Sequence, residues 1–403
     1  MFFSYSRRVF AFVVLVSSVW VSGAEVPKGG QLRFETVRLV NSYNEGCAIA
    51  DVNNDGRLDV IAGPAWYESP TWRQRAIRHI ALGLQEFMAN NGDHAIDLNG
   101  DGWVDVISAS WFSDEVYWYE NPGQEGLDAG ELWRPHLVAS NWAHAEGTLL
   151  EDVDGDGVRE LLMNSYAKKM PIQGVQIELG KGGKLPRFIP FSLGSRGPGH
   201  GMGVGDVNGD GKVDIVASRG WYEAPSSEPL SHEWVFHHEY GLYHVSLPCL
   251  VKDLNRDGKN DLIIGRAHHY GLYWLEQGPT VDGQIKWKKH EIDDRVSQVH
   301  CLTWADLDGD GQDELITGKR YRGHKGKDPG ADDPLCLFRY VWDPSTKRFA
   351  KDVISYDQGI GTGMQIRVAD LDGDGKLDIA VAGKSGTYVL LNRGPAVVTS
   401  TQK

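Results

Sequence analysis

The chain has 403 residues, 24% of them charged, a formal net charge of −14 and four cysteines. Acidity on this scale argues against a nucleic-acid partner, because a phosphate backbone is held by surplus Lys and Arg. Beyond the first residues no run approaches the ~18 apolar positions of a membrane span, so none is expected.

Residues 1–24 read as a secretory signal peptide. Arg7 and Arg8 precede an apolar run from Val9 to Val21, and Ser22-Gly23-Ala24 offers small residues for cleavage before Glu25. Ser6-Arg7-Arg8-Val9-Phe10 also resembles a twin-arginine signal. Either route exports the protein, to a periplasmic or extracellular location.

From there one acidic loop, D-x-[DN]-x-D-G-x-x-[DE], recurs seven times. The oxygen ligands it offers are Asp51, Asn53, Asp55 and Asp59 in the first copy, then Asp97, Asn99, Asp101 and Asp105. Asp152, Asp154, Asp156 and Glu160 form the third set, and Asp206, Asn208, Asp210 and Asp214 the fourth. The fifth is Asp253, Asn255, Asp257 and Asp261, and the sixth Asp306, Asp308, Asp310 and Glu314. Asp370, Asp372, Asp374 and Asp378 complete the series. Alternate oxygen side chains on a tight Asp-Gly turn suit a hard cation with six to eight oxygen ligands, which points to structural calcium. An EF-hand opens similarly but closes with Glu at position twelve between helices. Here the carboxylate closes at position nine between β-branched runs. The ligand positions of the loops hold 24 of the 55 acidic residues, so seven bound Ca²⁺ would bring the chain close to neutrality.

Successive loops begin 46, 55, 54, 47, 53 and 64 residues apart. A period near fifty with strands in each unit predicts a propeller. Blade 4 shows the four strands: Met202–Gly205, Val213–Ala217, Gly220–Glu223 and a fourth near Trp234–His238. No helical periodicity persists. After the seventh loop only two strands are legible, Leu377–Ala382 and Thr387–Asn392, whereas Leu32–Val40 resembles a fourth strand standing before blade 1. That strand is expected to complete blade 7 and close the ring. The expected fold is all-β, one seven-bladed propeller over residues 25–398. Cys47, Cys249, Cys301 and Cys336 fall in strands of separate blades without metal spacing, and buried free thiols are expected.

Propeller topology puts the segments leading into strand one, and the loops joining strands two and three, on the face opposite the acidic loops. That face collects Glu45, Asp93, His94, His144, His200, His244, His300, Arg219, His268, His269, Tyr270, Lys319, Arg320, Tyr321, His324 and Lys384. His136 and His290 fall instead in fourth strands and read as structural, as do Trp-Tyr pairs such as Trp221-Tyr222. His200 stands six residues before Asp206 and His300 six before Asp306, so equivalent strands carry both imidazoles to the same depth. With His244 from the blade between, they form a group that can supply a base or hold a transition metal at the channel mouth.

The repeat resembles the FG-GAP/VCBS family of calcium-binding propellers. Four segments further resemble the propeller of aldos-2-ulose dehydratase-type proteins and their bacterial relatives. They are Gly199–Asp206 (GHGMGVGD), Ser297–His300 (SQVH), Gly318–Tyr321 (GKRY) with His324–Gly330 (HKGKDPG), and Gly359–Gly363 (GIGTG). The resemblance implies a carbon–oxygen lyase acting on an oxidised sugar; the cupin-like domains of the dehydratase are not present in this chain. On that reading His200, His244 or His300 takes the proton α to a carbonyl, Lys319, Arg320 or Arg219 holds the anionic oxygen, and Tyr270 or Tyr321 protonates the leaving group. A non-catalytic propeller binding carbohydrate or protein is the alternative. A carbohydrate ligand is expected in either case.

Overall fold

The computed structural model describes residues 30–80, 87–142, 144–165, 171–195 and 199–396. The signal peptide expected at 1–24 lies outside them. Seven four-stranded antiparallel sheets make up the fold, which is a seven-bladed β-propeller. Blade 4 runs Gly203–Gly205, Asp214–Ala217, Gly220–Glu223 and Val235–His237 in consecutive order, within a residue or two of the expected spans. Blade 7 departs from that order. Its strands Ile366–Ala369, Asp378–Gly383 and Gly386–Pro395 are completed by Leu32–Val40, which pairs antiparallel with the last of them.

Strand two is the most deeply buried element of each blade, as in Asp59–Ala62, Asp105–Ala109 and Asp261–Gly265. Both its faces meet a neighbouring blade, which explains why it reads as a continuous apolar run rather than an alternating one. Seven hydrophobic clusters lie between neighbouring blades around the ring. Ile107 and Trp118 of blade 2, for example, pack on Leu161 and Met163 of blade 3. The fold therefore has no single core; its apolar burial is divided among the gaps between blades.

A recurrent device joins the outer strands to the acidic loops. Trp118 stacks on His136, Trp221 on His237 and Trp274 on His290, with ring centroids 4.4, 4.3 and 4.2 Å apart. Each imidazole Nε2 lies 2.7–2.8 Å from the third-strand glutamate, Glu120, Glu223 or Glu276. The same glutamates accept from Asn99, Asn208 and Asn255 of the loops, at 3.3, 3.4 and 3.2 Å. His136 and His290 are thus structural, as expected. In blade 6 Arg339 holds the position of the tryptophan. It is fully buried and donates to Asp308 and Asp352 at 2.9 and 3.0 Å. All four cysteines are buried free thiols, and burial pushes each up to about 12.

Candidate functional site

The segments leading into strand one hand the chain from blade to blade. Leu247 N–H donates to His300 O at 2.7 Å, Arg320 N–H to Gln298 O at 3.2 Å, Thr362 N–H to Lys319 O at 3.0 Å and Met364 N–H to Glu45 O at 3.1 Å. These bonds fix the backbone beneath the candidate side chains. Two glycines make the approach possible. A Cβ on Gly201, whose φ is +82°, would lie 2.0 Å from Val245 O, and one on Gly323 would lie 2.5 Å from Asp328 Oδ2. Several non-glycine residues here also take left-handed conformations: His244 (φ 53°), Gln298 (53°), His324 (45°) and Lys325 (61°). Such backbone is costly and concentrates where side-chain direction matters.

Three imidazoles meet. His200, His268 and His300 each bring one ring nitrogen within 4.8 Å of the others'. Their ring centroids are 4.7, 5.1 and 4.8 Å apart, with interplanar angles of 83°, 76° and 89°. Each Nδ1 faces an oxygen acceptor: Val245 O at 2.7 Å for His200, Asp328 Oδ2 at 2.9 Å for His268 and Gln298 O at 3.0 Å for His300. Nδ1 is therefore the protonated nitrogen, and Nε2 keeps the lone pair. At His300 that lone pair accepts from Arg320 Nη1 at 2.7 Å. Arg320 is in turn gripped by Glu45, Nε to Oε1 at 2.5 Å and Nη2 to Oε2 at 2.6 Å, and both side chains are buried. Burial, then the Arg320 charge, hold the His300 imidazolium form well below its usual range.

His268 fills the third place, expected for His244 from the blade between. It arrives on the strand two to three loop of blade 5, whose path no periodicity reports. His244 lies alongside, with ring centroids 5.9 Å from His200 and 5.2 Å from His268. It is half-buried, and burial lowers its pKa. Asp328 unites two imidazoles, accepting from His268 and, through Oδ1 at 2.8 Å, from exposed His324. Its carboxyl is held low, at about 2, by those two bonds, which outweigh the opposing effect of burial. Glu45, His268 and Asp328 join this group although strand spacing alone did not single them out.

Other candidates serve elsewhere. Lys319 is buried and its Nζ donates to Ala331 O at 3.2 Å and Arg320 O at 3.4 Å, so it braces the blade 6 loop; burial lowers its pKa. Tyr270 donates to Asp333 Oδ2 at 2.7 Å, a bond that raises the phenol pKa. The Arg322 guanidinium lies 5.3 Å from the Tyr321 ring. Arg219 is exposed, 5.6 Å from the ring of exposed Tyr243. Lys384 donates to Arg322 O and lies 3.9 Å from the Phe87 ring. His94 is buried on Thr148 Oγ1 at 2.8 Å, and Asp93 forms a buried ion pair with Arg78 at 2.7 Å.

In the acidic loops the first aspartate organises the turn. Asp51 accepts from Asp55 N–H at 3.0 Å and Gly56 N–H at 2.8 Å, and Gly56 has φ +83°. The closing carboxylate is buried and ties the loop to strand three: Asp59 accepts from Val52 N–H at 3.1 Å and Ser69 N–H at 2.8 Å. Burial pushes Asp59 and Asp105 up to about 7. Carboxylates of Asp306, Asp308, Asp310 and Glu314 converge within 4.8 Å, as do those of Asp152, Asp154 and Glu160, and of Asp370, Asp372 and Asp374. Such donor sets fit a hard cation.

Residues 97–163, 152–217 and 253–317 match the FG-GAP-like repeat. The chain is 25% identical to cartilage acidic protein 1 of Xenopus tropicalis over 391 residues, covering 84% of this chain and 57% of that protein. For the Homo sapiens protein of the same name the identity is 23%, covering 84% and 56%. The chain thus spans a little over half the length of these curated relatives. Among solved structures, an N-acetylglucosamine-recognising Agrocybe aegerita lectin superposes with a TM-score of 0.44 at 16% identity, covering 90% of this chain and 86% of that one. Rhamnogalacturonan lyase YesW gives 0.44 at 14% identity, covering 91% and 74%. Similarity at this level says nothing about activity. The chain carries FG-GAP-like repeats on a seven-bladed β-propeller.

Proposed function

We propose that the protein is an exported, carbohydrate-active carbon–oxygen lyase acting on a uronate or ulose sugar by β-elimination or dehydration. The observation that carries this reading is a guanidinium, fixed by a two-point carboxylate grip, beside a group of imidazoles. A proton α to a carbonyl is weakly acidic, so its removal needs a base and a cation for the enolate oxygen. His244 is half-buried, and its lowered pKa keeps it neutral at pH 7; it takes the proton. Arg320 holds the oxygen on which charge develops. The carbanion electrons then form the C=C bond as the β-carbon–oxygen bond breaks, and the leaving oxygen takes a proton from His324. His300 accepts from Arg320 and has a depressed pKa, which suits it to positioning rather than proton abstraction.

Calcium in the acidic loops is part of the same proposal, as scaffold on the opposite face. Export rests on the leader-like residues 1–24; among the described residues no helix is long and apolar enough to cross a membrane. A second reading, a binding propeller without chemistry, is favoured by the exposed rings of Tyr43, Phe112 and Tyr243. Incubation with uronate-containing glycans and ulose sugars separates the two. A new absorbance from a C=C conjugated to a carbonyl supports the lyase. Saturable binding without that absorbance replaces it with the second reading, and neither signal refutes both.

A further inference from the structure

We propose that the mouth of the propeller takes a glycan chain rather than a single sugar, laid across the face with an aromatic stacking subsite at each end. This rests on the lyase reading for what happens at the centre; the subsites follow from where the molecule exposes its rings. Among the described residues the exposed aromatic side chains are Tyr43, Phe112, Tyr243 and Tyr356. They lie on segments entering strand one, on a strand two to three loop, or at the finish of a fourth strand, which are all at the mouth end of the blades. The exposed large aliphatic side chains, such as Leu185 and Val281, lie instead on fourth strands or at the turns before them. Single exposed aliphatic residues need no explanation. Flat rings gathered on one face beside polar groups match a ligand that offers both C–H surface and hydroxyls.

The rings continue from the proposed centre without a break. Arg320 donates to His300, His300 packs on His268, and His268 on His244. Tyr243, 62% exposed, is the next residue on that side, with the Arg219 guanidinium 5.6 Å from its ring. On the other side the Phe87 ring lies 5.9 Å from the Arg320 guanidinium carbon and packs on Phe112, with centroids 5.5 Å apart at 57°. Phe112 is 49% exposed. It belongs to blade 2 whereas Tyr243 leads into blade 5, and in a ring of seven those blades face one another across the channel. A monosaccharide held between Arg320 and His244 leaves Phe112 uncovered, because Phe87 stands between. The next sugar of a chain would lie over it.

The Phe112 platform is fixed in advance. Phe112 N–H donates to Ser110 Oγ at 3.1 Å and Trp111 N–H to Asn91 Oδ1 at 2.8 Å, and both acceptor residues are buried. Met88 N–H donates to Tyr43 O at 3.3 Å, which joins the segments carrying Phe87 and Tyr43. Rings held in place before binding lose little freedom when a ligand arrives. A protein partner would need an apolar core within an interface of about 800 Å² per side. Among the described residues the mouth exposes no large aliphatic side chain and intersperses its rings with exposed Arg219, Arg322 and His324, which favours the glycan.

The test measures binding to the full mature protein in saturating calcium. Oligomers of galacturonate, mannuronate, glucose and N-acetylglucosamine are titrated by calorimetry, each from disaccharide to hexasaccharide. In at least one series the hexasaccharide should bind about 100-fold more tightly than the disaccharide, as two added stacking contacts of about tenfold each would give. Phe112→Ala and Tyr243→Ala should each remove about tenfold of that gain, and any turnover should lose it in KM rather than kcat. Phe112→Trp keeps a ring and should retain the gain, which leaves the test decidable if Phe112→Ala fails to fold. Leu185→Ala, away from the mouth, should leave the series as it is. Affinity indifferent to length in every series overturns the proposal, as does no binding at all, or the full gain in both folded alanine variants. Self-association that Phe112→Ala abolishes, without glycan binding, would assign the rings to a second copy instead. Length-dependent binding without elimination keeps the subsites and removes the lyase. Elimination with length-independent affinity does the reverse.

Discussion

Glu45→Gln tests the cationic side of the site. The Glu45–Arg320 pair joins blade 1 to blade 6, its partners 275 positions apart in sequence. The side chains of Glu45 and Arg320 are only 1% and 4% exposed, and both carboxylate oxygens are engaged. Neutralising one member of a buried pair leaves the other charge desolvated, at a cost of roughly 3–5 kcal/mol. At this chain length 1 kcal/mol moves the melting temperature by about 1–3 °C, so a loss of roughly 5–10 °C is expected. Urea unfolding at pH 7 in saturating calcium measures the free energy. The control is Glu45→Leu combined with Arg320→Met, which removes both charges and should cost less than either change alone. A Glu45→Gln loss below about 1 kcal/mol, or a double variant costing the sum of the singles, would refute the account of a coupled buried pair.

Chelating calcium should lower the melting temperature substantially, and Asp55→Ala only in part. A site held at 100-fold its Kd contributes about 2.7 kcal/mol, and a melting curve indifferent to both treatments would end the calcium proposal. His94 is kept neutral by burial, its pKa lowered from 6.5 to about 3. The unfolded chain therefore binds this proton near pH 6.5 and the native chain does not, so stability is full above pH 6.5 and declines as pH falls towards 3. The loss is on the order of 4 kcal/mol, and His94→Gln should flatten the decline in urea titrations between pH 7 and 4.5. Thiols pushed up to about 12 should not react with a disulfide reagent at pH 8 until the protein unfolds, whereupon all four should titrate. Tyr243→Ala should weaken saccharide binding about tenfold, as a lost stacking surface would, without altering the melting temperature.

The scaffold was legible because it repeats. Each acidic loop marks the turn between strands one and two, so the loops alone count the blades, and the strand Leu32–Val40 was recognisable by the gap it fills in blade 7. The pairing of His200 with His300 followed from their equal distance to the next loop, and their rings lie 5.1 Å apart. Two kinds of information were hidden. His268, His324 and Asp328 sit on irregular loops, where left-handed residues and glycine contacts steer the chain and no period applies. Glu45 and Arg320 meet across the face between non-adjacent blades, a contact without local sequence consequence. Lys319 and Tyr270 had the expected positions, yet nearby carbonyls and Asp333 claim their polar atoms. Residue type and loop assignment cannot report which neighbour wins such a competition.

The strand Leu32–Val40 also orders events in time. It is made before any blade, yet its partner Gly386–Pro395 follows all the others, and Arg33 reaches Arg393 O across 360 residues of sequence. Throughout synthesis the early strand has no sheet to join. The six other blades can form locally from consecutive hairpins, but closure pays the loop entropy of nearly the whole chain at one step. Until then Gly386–Pro395 presents an unpaired strand edge, which invites another copy to pair in place of the chain's own strand. Domain-swapped oligomers exchanging Leu32–Val40 are therefore the misassembly to which this architecture is most exposed. A circular permutant that begins between blades, with this strand fused directly after Pro395, would make the last pairing local and should refold faster than the natural order.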